Sequence, residues 1–420
     1  MTKFYEVRPT ASAAKKASFT QVPWSNPGVK ETAVRSNADP WFSQLGPVGT
    51  VAIDFGRIAA AAYVADRLTR RGLSFSRTLA IHVHLSDPAP WKPVLEDLQV
   101  LLSWLSGDDW TVTVCKATGG APGPTPLDLV DDEPPAALAL FSGGLDSFAG
   151  AVLPTGPTLY LAHSDNPTVK AAQTTAWGWL DEQGLASQLV SIRLSEASKK
   201  KENTTRTRAL LFYALAAAVA DARGIGTIEV PENGFTGLNL ALGGDRGGVL
   251  STRSTHPRTI ALVGRLIEAV GLPINLSNTH AHSTKGELVE EAVTRRPEVA
   301  AGLATTLSCA KLDGRVYPGG DPNLGCGLCV ACLTRRSSIL AAGIDDPTPY
   351  LATTLTGQSL DMLWQRRAVD VEAVRRRSEV EVDEFVLLET GGYPDDYDLT
   401  AATELCRRGF DELRAMVATL

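Results

Sequence analysis

The sequence has no uninterrupted apolar run of about 18 residues, the length that a membrane-spanning helix requires. Residues 1–6, MTKFYE, lack the apolar core of a secretory signal peptide. An excess of positive charge is also missing, because 40 Lys and Arg residues are set against 47 Asp and Glu residues, for a net charge of −7. We therefore expect a cytoplasmic protein without a membrane span, and the acidic balance argues against a broad nucleic-acid surface.

At 420 residues the chain is too long for one ordinary core, and its composition, 44% hydrophobic and 21% charged, is typical of a soluble globular protein. Residues 117–134 are rich in Gly, Pro and acidic residues and are predicted as a linker. The other segments are interpreted as an N-terminal arm, a small α/β accessory domain, a large α/β domain and a mainly helical C-terminal region, over residues 1–46, 47–116, 135–345 and 346–420. The helical prediction for the last region rests on apolar or small residues that share one helical face, Leu405, Gly409, Leu413, Met416 and Leu420.

The accessory domain carries no catalytic signature. Its predicted strands are 51–55, 78–84 and 110–116, and its predicted helices are 58–71 and 91–105. His82 and His84 lie two residues apart on one face of a strand, a spacing that two ligands of a metal ion can have. No third ligand is evident in the neighbouring sequence, so a structural role is the favoured interpretation. Cys115 and Cys406 are isolated in sequence and are predicted to be core residues.

Strands and helices alternate through the large domain. The predicted strands are 136–141, 157–163, 187–194, 227–230 and 273–276, and the predicted helices are 146–153, 169–183, 204–223, 256–270 and 285–293. Alternation at this pitch predicts an α/β fold with a parallel, doubly wound sheet. Ligands of such sheets bind at the carboxyl ends of the strands.

The loop Ser142–Ser147, SGGLDS, follows the first of these strands and opens a helix. Its two glycines permit a tight turn and a close approach of the backbone to a ligand. The free N–H groups and the positive dipole at the helix start then face that ligand, so the loop is predicted to hold phosphate. It is not a Walker A loop, because the Gly-Lys-Ser/Thr ending is missing. Asp146 is a candidate ligand for Mg²⁺ on the polyphosphate, and Ser142 and Ser147 are candidate hydroxyl donors.

Two polar segments of the same domain are candidates for further ligand contacts. Residues 198–208 are basic and precede a helix, where cations oppose the helix dipole, so they are either a solvated loop or face an anion. Residues 231–257 form a long polar insertion after a strand, where α/β enzymes hold substrate. The side chains in it that suit a purine-like edge are those of Glu232, Asn233 and Asn239. Arg253 suits a bidentate pair with a carboxylate.

Four cysteines form the second strong signal, Cys309, Cys326, Cys329 and Cys332. Cys326, Cys329 and Cys332 are spaced three residues apart, and two consecutive CxxC motifs of this kind can direct three sulfurs to one point. Four thiolates suit a closed tetrahedral Zn²⁺ site, although an iron–sulfur cluster also takes four cysteines. The metal would hold down residues 310–325, a segment rich in Gly, Pro and Asp.

These motifs together resemble the 7-cyano-7-deazaguanine synthases (QueC), a family of N-type ATP pyrophosphatases with the PP-loop SGGxDS. The resemblance rests on Ser142–Ser147, on the CGxCxxC run with Ser308-Cys309 upstream, and on Thr284–Val289, TKGELV. It covers roughly residues 135–345, half the chain. It implies a PP-loop ATP pyrophosphatase fold of the adenine nucleotide alpha hydrolase type. It also implies ATP, Mg²⁺ and Zn²⁺, and the conversion of 7-carboxy-7-deazaguanine into an amide and then a nitrile with ammonia.

The resemblance assigns roles to individual residues. Asp146 would hold Mg²⁺, and Arg208 and Lys285 would offset charge on the phosphates of ATP. Contacts to adenine would come from the end of the second strand, from Leu161, Ala162 and His163. The cysteines would bind zinc. The substrate carboxylate would attack the α phosphate, and an amine would then displace AMP.

The chain departs from these synthases in its length and its substrate region. It adds residues 1–116 and a tail from about 346, and it lacks the Tyr-Pro-Asp-Cys stretch of the family. In these additions it resembles the QueC-like proteins of bacterial antiviral operons, the QatC group of the Qat system in particular. That resemblance implies a changed acceptor, the N-terminus of a partner protein from the same operon, with the extra domains as docking surfaces.

Three other functions remain open at this point. One is a free-standing synthase that makes 7-cyano-7-deazaguanine from ammonia. Another is tRNA thiolation, since some PP-loop enzymes pair the loop with CxxC cysteines, although the acidic net charge speaks against it. The third is a nucleotide-sensing subunit that binds ATP without chemistry.

Overall fold

A computed structural model of the protein describes residues 2–8, 20–23, 34–72, 76–118, 135–185, 187–196, 202, 204–242, 252–389 and 391–420. Outside these residues lie residues 119–134 of the predicted linker and residues 1, 9–19 and 24–33 of the predicted arm, and also residues 198–201 and 203 of the predicted basic segment and residues 243–251 of the predicted substrate region. The strands within them are β1 (Lys3–Arg8), β2 (Thr20–Pro23), β3 (Val34–Ser36), β4 (Thr78–Leu85), β5 (Asp109–Lys116), β6 (Ala137–Leu140), β7 (Thr158–Ser164), β8 (Gln188–Glu196), β9 (Thr227–Glu229) and β10 (Asn275–Ser277).

The helices fall between and after these strands. They are α1 (Ala38–Leu45), α2 (Thr50–Leu68), α3 (Leu95–Ser106), α4 (Leu145–Ala151), α5 (Pro167–Glu182), α6 (Arg208–Arg223), α7 (Gly234–Gly237), α8 (Pro257–Ala269), α9 (Lys285–Arg295), α10 (Val299–Gly302), α11 (Val330–Ala341), α12 (Leu351–Thr354), α13 (Gly357–Ser378), α14 (Glu384–Leu388) and α15 (Leu399–Val417). Within the described residues, no helix combines the length and apolar character that crossing a membrane takes.

The large sheet has the order β10-β9-β6-β7-β8-β3 and confirms the predicted doubly wound α/β fold. All of its neighbours are parallel except β3, which pairs antiparallel with β8 at one edge. From β6 the chain moves outward through β7 and β8, and it then returns to add β9 and β10 on the other side of β6. The order therefore reverses between β6 and β9. In doubly wound sheets such a reversal marks the crevice where ligands bind.

The second sheet has the order β2-β1-β4-β5, and all of its pairs are parallel. Its central strand β1 comes from the segment interpreted as an N-terminal arm. One face is apolar, with Leu79, Ile81 and Val83 fully or almost fully buried. The opposite face carries His82, which is half-buried, and Thr113, which is exposed. This second face is unusual, because parallel sheets are generally covered on both sides.

The strand predicted at residues 51–55 is wrong, because these residues form the first turns of α2. Val51, Ile53 and Phe55 alternate as in a strand, but the run of alanines that follows favours a helix. The helix is buried on nearly all sides and packs against both β4 and α6, so it joins the two sheets.

The C-terminal region is helical, as predicted. Helix α15 packs against α11 and α13, with Leu405 and Leu413 in the shared core, and Met416 is also buried. Cys406 is fully buried there, as expected of a core residue. The core prediction is wrong for Cys115, which is half-buried on the open face of the second sheet.

Candidate active site

The loop after β6 is held in one conformation by short polar contacts. Gly143 has φ +78°, a left-handed conformation that favours glycine. Ser142 Oγ accepts the Gly144 N–H at 3.2 Å and lies 3.1 Å from Ser147 Oγ. The Gly143 carbonyl accepts the N–H of Leu307 at 3.1 Å. These contacts fix the turn of the loop, and α4 begins directly after it.

A Gly143→Ala substitution should weaken both the fold and nucleotide binding. A Cβ at this position would lie 2.9 Å from Gln173 Cγ and 3.1 Å from its backbone nitrogen, so α5 would have to move. The left-handed φ adds about 1–2 kcal/mol of strain for a residue with a side chain. Thermal unfolding and ATP titration measure the two effects. Gly156→Ala is the matched control, because the added methyl group would have no atom within 4 Å, and an equal loss in both variants would contradict this role of Gly143.

Asp146 is the centre of a buried polar cluster at the switch between β6 and β9. Its Oδ1 lies 2.5 Å from Lys285 Nζ, and its Oδ2 accepts the Asn233 Nδ2–H at 2.7 Å. Lys285 is the first residue of α9, after the capping residue Thr284. Asn233 follows β9 and caps α7 by accepting the Thr236 N–H at 2.9 Å. The structure thus brings together residues that are far apart in sequence.

Glu232 adds a second carboxyl group to this cluster. Burial raises the pKa of Glu232 well above its ordinary value, and the negative charge and hydrogen bond of Asp146 raise it further. Burial also opposes ionisation of Asp146, but the Lys285 ammonium and the hydrogen bonds from Glu232 and Asn233 outweigh it and lower the pKa of Asp146. Of the two neighbouring carboxyl groups, Glu232 therefore holds a proton more readily than Asp146. Two adjacent carboxyl groups beside the loop predicted to hold phosphate fit Mg²⁺, which binds through one or two carboxylates plus phosphate oxygens.

Arg208 and His163 meet at the carboxyl end of β7. Arg208 donates to the His163 carbonyl at 3.0 Å and to His163 Nδ1 at 3.4 Å. Burial, followed by the Arg208 charge, lowers the pKa of His163 to about 4, so its ring is neutral. Gln173, which sequence reasoning missed, links this end to the loop by donating to the carbonyls of His163 and Ser142. Leu161, Ala162 and His163 are fully buried on β7, and their contact with adenine stays a prediction.

A cavity of about 390 Å³ opens beside the Asp146 cluster. Residues of the large domain and of the C-terminal tail line this cavity. They include Glu232, Thr236, Thr252, Ser254, Lys285, Lys311, Thr334 and Asp370. Of the predicted substrate residues, Glu232 lines this cavity. Arg253 instead lies with its guanidinium 4.2 Å from the centre of the Trp104 ring and donates to the Trp104 carbonyl at 2.7 Å. Asn239 is buried with φ +52°, and the substrate roles of both residues stay predictions.

The four predicted cysteines converge on one point. Their Sγ atoms all lie within 4.8 Å of one another, and the pairs Cys309–Cys329 and Cys326–Cys332 are each 3.9 Å apart. Four sulfurs bound to one Zn²⁺ at about 2.3 Å would be about 3.8 Å apart in a tetrahedron. Backbone N–H groups of Cys326 and Cys329 also point at sulfurs, at 3.3 and 3.2 Å. The cluster therefore fits a single Zn²⁺ ion, which would fix the floor of the cavity through Cys329.

Glu412 of α15 holds the start of α9, where Lys285 stands. Its carboxyl group hydrogen-bonds to the Thr284 hydroxyl and accepts the Gly286 N–H at 3.3 Å. Burial, with the neighbouring charge of Glu287, raises the pKa of Glu412 to about 7, against the weaker effects of its hydrogen bonds and of Lys285. The C-terminal helix thus positions a candidate catalytic residue. No motif marks this contact, because it joins two distant parts of the chain.

Glu412 should make the stability of the protein depend on pH. Its pKa is raised in the folded state from an ordinary value of 4.5 to about 7, so between these values the folded state binds more protons than the unfolded state. Stability then falls as pH rises from about 4.5 to about 7. Glu412→Gln cannot titrate, and its amide oxygen can still accept one of the two hydrogen bonds that Thr284 and Gly286 donate to Glu412, so this pH response should be absent from the variant. Melting temperatures of the two proteins at pH 5 and pH 8 test this, and an equal pH response in both would contradict it.

The comparisons with known proteins agree with this geometry. No protein-family model matches the chain. The 7-cyano-7-deazaguanine synthase of Thiobacillus denitrificans is 27% identical over 238 residues, which are 51% of this chain and 98% of that protein. The synthases of Cupriavidus taiwanensis and Cupriavidus necator are each 27% identical over 121 residues, 28% of this chain and 47% of each relative.

The sheet order and the loop are those of a PP-loop fold, and in sequence the chain is similar to the 7-cyano-7-deazaguanine synthases (QueC) at 27% identity. The comparisons therefore support the resemblance that the motifs indicate, as a likeness in sequence and in fold. The alignment with the first relative uses almost all of that protein and about half of this one, so the remaining half of the chain lies outside the likeness.

Proposed function

We propose that the chain is an ATP-dependent carbon–nitrogen ligase acting on a 7-deazaguanine carboxylate, such as 7-carboxy-7-deazaguanine. Its acceptor is the N-terminal amine of a partner protein in an anti-phage defence system. The observation that carries the proposal is the buried cluster of Asp146, Glu232 and Lys285, which joins a phosphate-binding loop to a substrate-sized cavity. The names of the similar synthases support the 7-deazaguanine class.

The first step forms an acyl-adenylate. The triphosphate of ATP lies on Ser142–Ser147, and a carboxylate oxygen of the substrate attacks the α phosphorus. The bond from that phosphorus to the bridging oxygen breaks, and pyrophosphate leaves with the electron pair. Mg²⁺, held by Asp146 with Glu232, would supply charge neutralisation on the phosphates. Lys285 and Arg208 add positive charge on the two sides of the loop.

The second step forms the amide. The amine nitrogen attacks the acyl carbon, the bond to the AMP oxygen breaks, and the nitrogen gives up a proton as AMP leaves. Each step consists of positioning and charge stabilisation, so the chain needs no covalent nucleophile. Lys285 and Cys329 both line the cavity, and in this proposal the acyl carbon lies between them, where an acceptor would approach it from solvent.

The parts of the chain outside the synthase likeness support a protein acceptor. Asp370 of α13 lines the cavity, and Glu412 of α15 holds the start of α9, so the tail contributes to the site itself. A synthase that uses only ammonia has no need of these additions. The second candidate is nevertheless a free 7-cyano-7-deazaguanine synthase, because that is the activity for which the similar proteins are named.

The experiment that separates the two is intact mass spectrometry of the proteins encoded beside this one, co-expressed with it. A deazaguanine acyl group added to one partner, and absent when Asp146→Asn replaces the wild type, supports the protein ligase. Unmodified partners together with an accumulating free nitrile support the synthase. Unmodified partners, no nitrile and no pyrophosphate release would reject both functions.

A further inference from the structure

A second group of metal-ligating side chains lies far from the loop, on the open face of the β2-β1-β4-β5 sheet. His82 and His84 of β4 point to this face, and the register of β4 and β5 sets Cys115 directly opposite His84. One ligand atom from each of the three residues lies within 4.8 Å of the other two. Cys115 is the third ligand that the sequence around the histidines does not reveal.

In each imidazole ring, one nitrogen lies within hydrogen-bond distance of a side-chain oxygen. His82 Nδ1 lies 2.8 Å from the Thr113 hydroxyl, and His84 Nε2 lies 3.2 Å from a carboxylate oxygen of Glu6. Metal-bound histidines almost always donate their second ring N–H to a carboxylate or another oxygen, which fixes the ring and its tautomer. The two rings meet edge to face with their centres 5.2 Å apart. Each ring is therefore oriented as a metal ligand is.

Glu6 provides an independent sign that the site is incomplete without a ligand. The residue is only 6% exposed, and among the described residues its Oε2 has no hydrogen-bond partner. Its other oxygen, Oε1, contacts both His84 and the Arg8 guanidinium. Leaving a carboxylate oxygen buried without a partner is unfavourable, and a cation beside His84 would relieve that cost.

The donor set decides which ion fits. Two imidazole nitrogens and one thiolate suit borderline and soft transition metals, and Mg²⁺ or Ca²⁺ would require oxygen ligands. All three side chains are half-buried, so an ion there would keep access to solvent. Three protein ligands with an open fourth position are the arrangement of exchangeable and catalytic zinc sites, in contrast to the closed four-cysteine site.

We infer that His82, His84 and Cys115 form a second metal site, which binds one Zn²⁺-class ion with water or an incoming donor in the fourth position. It is separate from the four-cysteine site and does not depend on the proposed ligase function. Glu6 and Thr113 orient the two histidines. The site makes the open sheet face a place where a metal bridges this chain to a donor side chain from outside.

The test is the zinc content of the full-length protein after loading with excess Zn²⁺ and desalting, measured by mass spectrometry of the metal. Two ions per chain are expected in the wild type, one for each of the two clusters, and one in Cys115→Ser and in His84→Asn. The exposed His282 is outside both clusters, so His282→Asn is the matched control and should keep both ions. A wild type that holds one ion, with no loss in Cys115→Ser, would overturn the site.

Cobalt provides a second readout, because a thiolate bound to Co²⁺ absorbs in the near ultraviolet. Titrating the wild-type apo-protein with Co²⁺ should raise this absorption over two equivalents, one for each cluster, and titrating the Cys115→Ser apo-protein should raise it over one equivalent. Identical titrations of the two proteins would also overturn the site. Pyrophosphate release stays unchanged in Cys115→Ser, whether or not the proposed ligase function is correct.

Discussion

In Asp146→Asn, ATP-dependent pyrophosphate release falls by about 10³-fold or more while the protein stays folded. The asparagine fills the same space and still contacts Asn233 and Lys285, but it brings no negative charge for a metal ion. Breaking a buried ion pair usually costs about 3–5 kcal/mol, because the remaining charge is unpaired. Here Glu232 offsets that cost, since without the Asp146 charge it can ionise and pair with Lys285. Stopped assays of pyrophosphate and thermal unfolding measure the two quantities separately.

Glu232→Gln is the matched variant for this experiment. It leaves the pair of Asp146 and Lys285 intact at 2.5 Å, and the amide can still donate to Asp146. We expect a smaller loss of pyrophosphate release than in Asp146→Asn, because one carboxylate remains for the metal. Undiminished release in Asp146→Asn would reject the role of Asp146, and unfolding of both variants would show that the cluster serves stability alone.

Asp66→Ala is the substitution with the largest expected effect on stability. Asp66 lies on α2 and is fully buried, with Oδ1 at 2.5 Å from Arg77. Its Oδ2 accepts the N–H groups of Arg206 and Thr207 at 2.9 and 3.1 Å and the Thr207 hydroxyl at 3.1 Å. Alanine would leave a buried guanidinium and three donors without this acceptor. We expect a loss of about 4 kcal/mol in the free energy of unfolding.

The same substitution should also weaken ATP binding, because Asp66 fixes the residues just before α6, where Arg208 stands. Since α2 packs on α6, the two sheets are expected to unfold together in one transition. Denaturant titration followed by circular dichroism measures the loss, and Asp109→Ala, at an exposed position, is the control. Two separate transitions in the wild type, or a loss no larger than in the control, would contradict this account.

The parts of the fold that depend on local patterns could be predicted. Every strand and helix predicted in residues 135–293 is present, and the fold class follows from their alternation. The four cysteines converge because their spacing is local. The strand prediction for residues 51–55 is wrong because alternating apolar residues occur equally in a buried helix.

The contacts that complete the candidate site could not be predicted from sequence patterns, because they join distant segments, and only the family resemblance brings Asp146 and Lys285 to the same phosphates. Asp146 and Lys285 are 139 residues apart, and Thr284 and Glu412 are 128 residues apart. Neither pairing leaves a periodic trace in the sequence. Cys115 reaches His84 through strand register alone, so each looks isolated when it is read along the chain.

The pairing of β3 with β8 has a consequence for how the polypeptide could be divided. Residues 34–36 close the exposed edge of the large sheet, and Trp41 Nε1 donates to the Ser191 carbonyl at 2.8 Å beside them. Together with the packing of α2 on α6, this joins the segment before the predicted linker to the sheet that carries the candidate site. Protease cleavage between residues 118 and 135 would therefore yield two fragments that remain associated. The large domain does not form its sheet from its own segment alone, because the edge strand β3 comes from residues 34–36, upstream of the predicted linker. The segment that supplies β3 is therefore part of that domain's structure and not a separate module added to it.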